Sequence, residues 1–223
     1  MVRSESIAFD QGKVNGLRKL VDQGEGQYLE FKRKASYPEK IVRELIAFAN
    51  SSGGVLLIGV DDDRSIPGVK FPEEESIVIH TELKNHCRPG LAFHEEIIPI
   101  SENRYVLKWH IPKSDKRPHF YVTNGDRMSF VRQNDQSIKA SKEMCEILRR
   151  NKSKNGTKLV YGEAEQKIIH FLGSQTAISL EDFSKLTGLN RFMASRKLVR
   201  MVLANVLKIK ATDKGDLFSR AEN

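Results

Sequence analysis

The run Val55-Leu-Leu-Ile-Gly-Val60 narrows the folds open to this chain more than any other segment. It is apolar at consecutive positions, so both faces of an extended chain are apolar and the run reads as a buried central strand. Its flanks agree. Asn50-Ser-Ser-Gly-Gly54 ends a helix, with glycine supplying the left-handed backbone that helix ends often need. Asp61-Asp-Asp-Arg-Ser65 is a polar turn on the other side. The preceding helix opens at Pro38, a favoured first-turn position for proline. Ile41, Val42, Leu45, Ile46 and Ala49 form its apolar face.

Around this unit the chain alternates helical and extended patterns. Lys13 to Gln23 reads as an amphipathic helix, with Val14, Leu17, Leu20 and Val21 on one face and Gly24 as its stop. Tyr28 to Lys32 reads as a strand, which puts Glu30 and Lys32 on one face. A helix over Ser76 to His86 halts before Pro89. Strand patterns follow over Ala92 to Ile100, Arg104 to Ile111, His119 to Val122 and Arg127 to Arg132. Asn124-Gly125 is a hairpin turn between the last two. Ser141 caps a helix running to Arg150. Residues 151–158 have the polar, basic composition of a linker, so a first domain over 1–150 and a second over 159–223 are expected.

The second domain changes pattern. Glu163 to Leu172 is helical. Ser179 caps a helix to Thr187, Gly188-Leu189-Asn190 turns, and Arg191 to Ala204 forms a third helix. Val206 to Ala211 and Leu217 to Ser219 then read as a hairpin. This is the element order of a winged helix-turn-helix. Arg191, Arg196, Lys197 and Arg200 make one side of the third helix cationic, and Lys208, Lys210 and Lys214 put charge on the wing. Such a helix suits a DNA major groove. The same fold also serves for dimerisation or docking, and that alternative stays open.

Charge fits a polyanionic partner: the formal net charge is +8 and the pI about 9.4. The chain carries no apolar run near the roughly 18 residues of a membrane span, and Met1 to Asp10 has no signal-peptide core. Cys87 and Cys145 stand outside any metal motif. A cytoplasmic protein with no membrane association is expected. The histidines lack metal-ligand spacing, and no phosphate-binding glycine loop opens a helix.

The stretch Glu25-Gly-Gln-Tyr-Leu-Glu30-Phe31-Lys32, followed by Ile46-Ala-Phe-Ala-Asn50-Ser-Ser-Gly53-Gly54 and Leu57-Ile58-Gly59-Val60-Asp61-Asp62, resembles the Schlafen AlbA_2 family. That family's pattern is E-x4-E-F-K, then A-F-A-N-(S/T)-x-G-G, then L-x-I-G-V-x-D. Ile111-Pro112, Arg117-Pro118-His119 and Phe130-Val131-Arg132-Gln133 resemble its later elements. The resemblance runs from Leu17 to Leu148. It implies a small α/β (α+β) domain with a mixed sheet, and nucleic-acid binding to DNA or RNA. For Schlafen proteins it also implies RNA cleavage by a metal-dependent carboxylate triad, matched here by Glu25, Glu30 and Asp62. Those residues would be both catalytic and the ligands of Mg²⁺ or Mn²⁺. Two features depart from the family: Asn134 stands where the R-x-G element has glycine, and there is one domain copy without a zinc-binding set.

The sequence therefore supports a nucleic-acid-binding protein, in the first place a DNA-binding transcriptional regulator acting as a homodimer. The alternatives are a Mg- or Mn-dependent endoribonuclease and a winged-helix interaction module. Lys32, Arg33, Lys34 and Arg132 are the phosphate-contact candidates of the first domain. Arg191, Arg196, Lys197, Arg200, Lys208 and Lys210 are those of the second.

Overall fold

The computed structural model describes residues 10–150 and 159–221. In chain order the elements are α1 (Gln11–Val21), β1 (Leu29–Lys32), α2 (Pro38–Asn50), β2 (Gly54–Ile58), α3 (Pro72–His86), β3 (Cys87–Arg88), β4 (His94–Ser101), β5 (Arg104–Ile111), β6 (Phe120–Thr123), β7 (Asp126–Met128), β8 (Phe130–Gln133), β9 (Gln136–Lys139) and α4 (Lys142–Arg150). After the undescribed residues 151–158 come α5 (Glu163–Ser174), β10 (Ile178–Ser179), α6 (Leu180–Thr187), α7 (Arg191–Leu203), β11 (Leu207–Lys210) and β12 (Leu217–Arg220). The chain divides into two compact units between Ser137 and Ile138. Helix α4, expected at the end of the first domain, thus falls in the second unit. The expected linker lies outside the described residues. Among the described residues no helix is long and apolar enough to cross a membrane.

The first unit is α/β with a mixed sheet of order β1-β2-β5-β4. Strand β1 runs parallel to β2, while β2–β5 and β5–β4 are antiparallel. The run at β2 is the interior strand that its composition demands. Leu56 and Ile58 face α2 and α3 together with Leu107, Trp109 and Ile111. Leu57 faces the opposite side, where Leu17 and Val21 of α1 pack with Leu29, Phe31 and Val106. Burying each such side chain contributes about 1.5–3 kcal/mol. Gly59 follows the strand with φ +102°, and a Cβ there would meet the Tyr105 carbonyl at 2.9 Å.

The alternation has a consequence at β1, the edge strand. Leu29 and Phe31 fill the α1 side, so Glu30 and Lys32 point toward α2. Polar side chains are thereby placed under a helix rather than in water.

Ahead of α4 the short strands β3 and β9 were not expected, and two expected elements differ from the sequence reading. The α3 helix starts at Pro72, four residues before Ser76, because Pro72 takes the first turn and Glu73, Glu74 and Glu75 sit favourably at its N-terminus. The expected strand over Arg127 to Arg132 is broken at Ser129. The buried Ser129 hydroxyl donates to the His119 carbonyl (2.8 Å), and its oxygen accepts from Asn50 Nδ2 (3.0 Å), which fixes the break.

The second unit has its own core of Ile168 and Leu172 from α5, Phe183 from α6, Leu198 and Met201 from α7, and Leu207 and Phe218 from the hairpin. A three-stranded sheet of order β10-β12-β11 closes it. The short strand β10 pairs Ile178 with Phe218 and was not foreseen. Ser179 accepts from the Asp182 amide (3.1 Å) at the start of α6, and Asn190 accepts from the Met193 amide (2.9 Å) at the start of α7. Gly188, at φ +71°, ends α6 in the left-handed conformation.

Candidate functional site

The family-pattern residues of the first unit converge beneath α2. Arg132 is buried, and its Nη2 donates to Glu30 Oε2 (2.5 Å) and to the Gly26 carbonyl (2.9 Å). Its Nη1 donates to Ser137 Oγ (3.2 Å), and the guanidinium lies over the Phe48 ring. The Lys32 ammonium holds the other Glu30 oxygen and donates to the Phe31 carbonyl (2.9 Å). Glu44 of α2 joins this group: its Oε2 lies 3.4 Å from Lys32 Nζ, at ion-pair distance without hydrogen-bond alignment. Glu25 stands beside the cluster and accepts from the Phe31 amide (2.8 Å).

The electrostatics follow from burial and crowding. Burial, and then the Glu30 charge, push the Glu44 carboxyl up to about 7 against the pull of Lys32 and Arg132. Glu25 is also raised, chiefly by partial loss of hydration at its carboxyl, although the residue as a whole stays exposed; its bond from Phe31 opposes this, and the charges of Glu30 and Asp62 add to it. Lys32 loses by burial but is raised on balance by Glu44 and Glu30.

Glu25, Glu30 and Asp62 therefore sit within electrostatic reach of one another, but they do not share a metal-binding geometry. Among the described residues no three His, Cys, Asp or Glu side chains are grouped to hold a metal ion. Both Glu30 oxygens are taken by cations. Asp62 is exposed on the turn after β2, where Asp61 pairs with Arg33 (3.2 Å) and Asp63 accepts from the Ser65 amide (2.8 Å). The residues in this arrangement do not fit a bound Mg²⁺ or Mn²⁺.

Other pattern residues hold the frame. Asn50 is 1% exposed. Its Nδ2 donates to the carbonyls of His119 (3.1 Å) and Phe130 (2.9 Å), while its Oδ1 accepts from the His119 amide (2.7 Å). His119 Nδ1 faces the Pro89 carbonyl at 2.8 Å, so Nδ1 carries the proton and Nε2 accepts from Ser114 Oγ (2.6 Å). Gly53, at φ +82°, would push a Cβ to 2.8 Å from the Ile111 carbonyl. Asn134 takes φ +56°, a left-handed conformation open to glycine and to asparagine, so the asparagine at this position supports the turn. Its amide donates to Gln27 Oε1 (2.8 Å), which ties this turn to the segment before β1.

The expected phosphate contacts of the first unit thus divide. Arg33 and Lys34 are exposed. Lys32 keeps 28% exposure, but its ammonium is committed to Glu30 and Glu44; Arg132, 1% exposed, is sealed under α2 and does not face solvent as a phosphate ligand would.

The second unit divides likewise. Arg191, Phe192, Met193 and Arg196 are exposed on one face of α7, with Arg196 over the Phe192 ring. Ser195, beside them, donates to Glu143 of α4 (2.6 Å), so α4 flanks that face. Lys197 instead donates to Glu165 Oε1 (2.5 Å). Glu165 is only 2% exposed. Burial would raise its carboxyl, but Lys197 and the Gly162 amide hold it below the usual range. Arg200 is half-buried, and Lys208 and Lys210 project from the exposed side of β11.

Glu44 and Asn50 were absent from the sequence-based site. Glu44 had a signal: it lies three residues after Ile41 and four before Phe48, on the apolar stripe of α2. Arg132, expected as a phosphate contact, had a signal for burial instead, in following the apolar pair Phe130-Val131.

A helix-flanked mixed sheet with a buried carboxylate–cation cluster at its edge strand defines the first unit. Residues 25–141, more than half of the chain, match the Schlafen AlbA_2 family. The chain belongs to that family, and membership associates it with nucleic-acid-related function. Two solved structures are similar. One is the N-terminal domain of a RecG-related protein from Nitrosomonas europaea, at 21% identity and a TM-score of 0.42, covering 52% of this chain and 86% of that one. The other is the DIP2311 protein from Corynebacterium diphtheriae, at 14% identity and a TM-score of 0.43, covering 95% of this chain and 39% of that protein.

Proposed function

We propose that this protein is a DNA-binding regulator whose second unit is a winged helix with α7 as the reading helix. The observation that carries this reading is the exposed face of α7: Arg191, Phe192, Met193 and Arg196 reach solvent while Ala194, Leu198 and Met201 fill the core. The helix-strand-helix-helix-hairpin order and the cations on β11 support it. Arg191 and Arg196 contact base edges and phosphates, and Lys208 and Lys210 contact the flanking backbone. In the first unit Arg33 and Lys34 add phosphate contacts. A homodimer matches two half-sites.

The test is the affinity of the full chain for duplex DNA across a salt series. Each neutralised phosphate contributes about 0.9 to the fall of log affinity with log salt. The expected slope is steep, reflecting several contacts. A salt-independent affinity, or none at low salt, refutes the reading.

A further inference from the structure

With Lys32 and Arg132 committed inside the first unit, Arg33 and Lys34 are what remains of its expected phosphate contacts, and a second group of cations lies elsewhere on the unit. A cleft of about 750 Å³ opens where α1, the β4–β5 hairpin and the segment before α3 meet. Arg18, Lys70 and Arg104 line it, one from each of these segments, against a single carboxylate, Glu102. Val14 and Ile100 supply apolar surface.

These three cations differ from their neighbours. Lys13, five residues before Arg18, pairs with Glu96 at 2.8 Å, and Arg64 donates to the Asp22 carbonyl at 3.1 Å. Among the described residues no carboxylate lies within ion-pairing distance of Arg18, Lys70 or Arg104. The backbone builds the convergence. Gly68 takes φ +64°, and a Cβ there would meet Arg104 Cβ at 3.0 Å and the Tyr105 amide nitrogen at 3.1 Å. Val69 and Tyr105 exchange both backbone hydrogen bonds, at 2.8 and 3.0 Å. Lys70 is therefore delivered beside the start of β5 by a close approach that only glycine at 68 permits.

Three like charges held together repel one another unless an anion joins them. We propose that this cleft is a phosphate-binding site that takes the sugar-phosphate backbone of a nucleic-acid strand. The net charge of the lining matches two successive phosphodiesters. The volume admits a nucleotide-sized unit, and the apolar surface suits a sugar or base face. This inference rests on the nucleic-acid-binding reading and deepens it, by adding Arg18, Lys70 and Arg104 to the first unit's backbone contacts at Arg33 and Lys34.

The experiment compares the full chain with the triple variant Arg18→Ala, Lys70→Ala, Arg104→Ala. A control triple variant, Lys84→Ala, Lys113→Ala, Lys116→Ala, removes the same charge from exposed positions elsewhere. Fluorescence anisotropy with labelled single-stranded and duplex oligonucleotides gives affinity and salt slope. Amide chemical shifts of the wild type with inorganic pyrophosphate and with AMP give direct occupancy. The expected result is at least a tenfold loss of strand affinity in the cleft variant, with a slope smaller by about 2, and little change in the control. Pyrophosphate shifts the amides of residues 101–104 in the wild type and not in the cleft variant. If strands bind the cleft variant as they bind the control, and pyrophosphate leaves residues 101–104 unmoved, the site is overturned while nucleic-acid binding stands. If no strand binds the wild type but pyrophosphate or AMP shifts those amides, the phosphate site stands for a free ligand and the strand assignment fails. If neither strand nor phosphate binds, both fail.

Discussion

Arg132→Met separates a structural role for this arginine from a phosphate contact. The guanidinium is 1% exposed, ion-paired to Glu30 and bonded to the Gly26 carbonyl. Methionine keeps much of the stem packing and removes the charge, so Glu30, itself 9% exposed, keeps only Lys32. Breaking a buried pair from one side costs about 3–5 kcal/mol, a large part of the roughly 5–15 kcal/mol that keeps a domain folded. Trp109 is the single tryptophan and is fully buried in the first unit, so its fluorescence follows this unit alone. Urea unfolding at pH 7 read at Trp109 should show a midpoint lower by about 2 M, for slopes of about 1–3 kcal/mol per molar. Adding Glu30→Gln to Arg132→Met should recover part of the loss, because the two residues are coupled. An unchanged midpoint together with weaker nucleic-acid binding would overturn the buried ion pair and return Arg132 to the surface as a phosphate ligand.

Glu44→Gln tests the buried carboxyl through pH. Its folded value near 7 lies above the ordinary 4.5, so the unfolded chain releases the proton first. The stability it contributes is full below about pH 4.5 and is lost as pH rises through 7. The variant has no such loss, so its advantage in Trp109-monitored unfolding should grow by on the order of 3 kcal/mol between pH 4.5 and 8; parallel curves contradict this. Lys197→Met should destabilise the second unit by about 2–3 kcal/mol, below the full-burial figure because Lys197 keeps 30% exposure. Hydrogen exchange of the α5 and α7 amides measures it, and unaltered protection would overturn the pairing with Glu165. Millimolar Mn²⁺ should yield no RNA or DNA cleavage, because Glu30 is held by two cations. Cleavage abolished by Glu25→Ala and by Asp62→Ala would reinstate the carboxylate triad.

What the sequence made legible was whatever depends on local pattern. The buried strand at β2, the α2 stripe, the caps at Ser141 and Ser179, and the turn at Gly188 follow from periodicity and capping alone. The strand break at Ser129 was hidden because it depends on Asn50, 79 residues away. Charge was the least legible property. Lys32, Arg132 and Lys197 read as surface cations, yet each crosses onto a covered face to meet a carboxylate. Alternation placed Glu30 and Lys32 together, but nothing local showed that α2 would cover that face. Arg18, Lys70 and Arg104 escaped notice for the converse reason: they are scattered in sequence, and only the close approach at Gly68 brings them to one cleft.

The most direct test of the central claim is duplex-DNA affinity of the full chain before and after Arg191→Ala with Arg196→Ala. Both side chains are exposed, so the fold should be retained, with thermal unfolding unchanged. The expected result is at least a tenfold weaker affinity and a salt slope smaller by nearly 2. Unchanged affinity and slope, in a variant that unfolds like the parent, would contradict α7 as the DNA-reading helix.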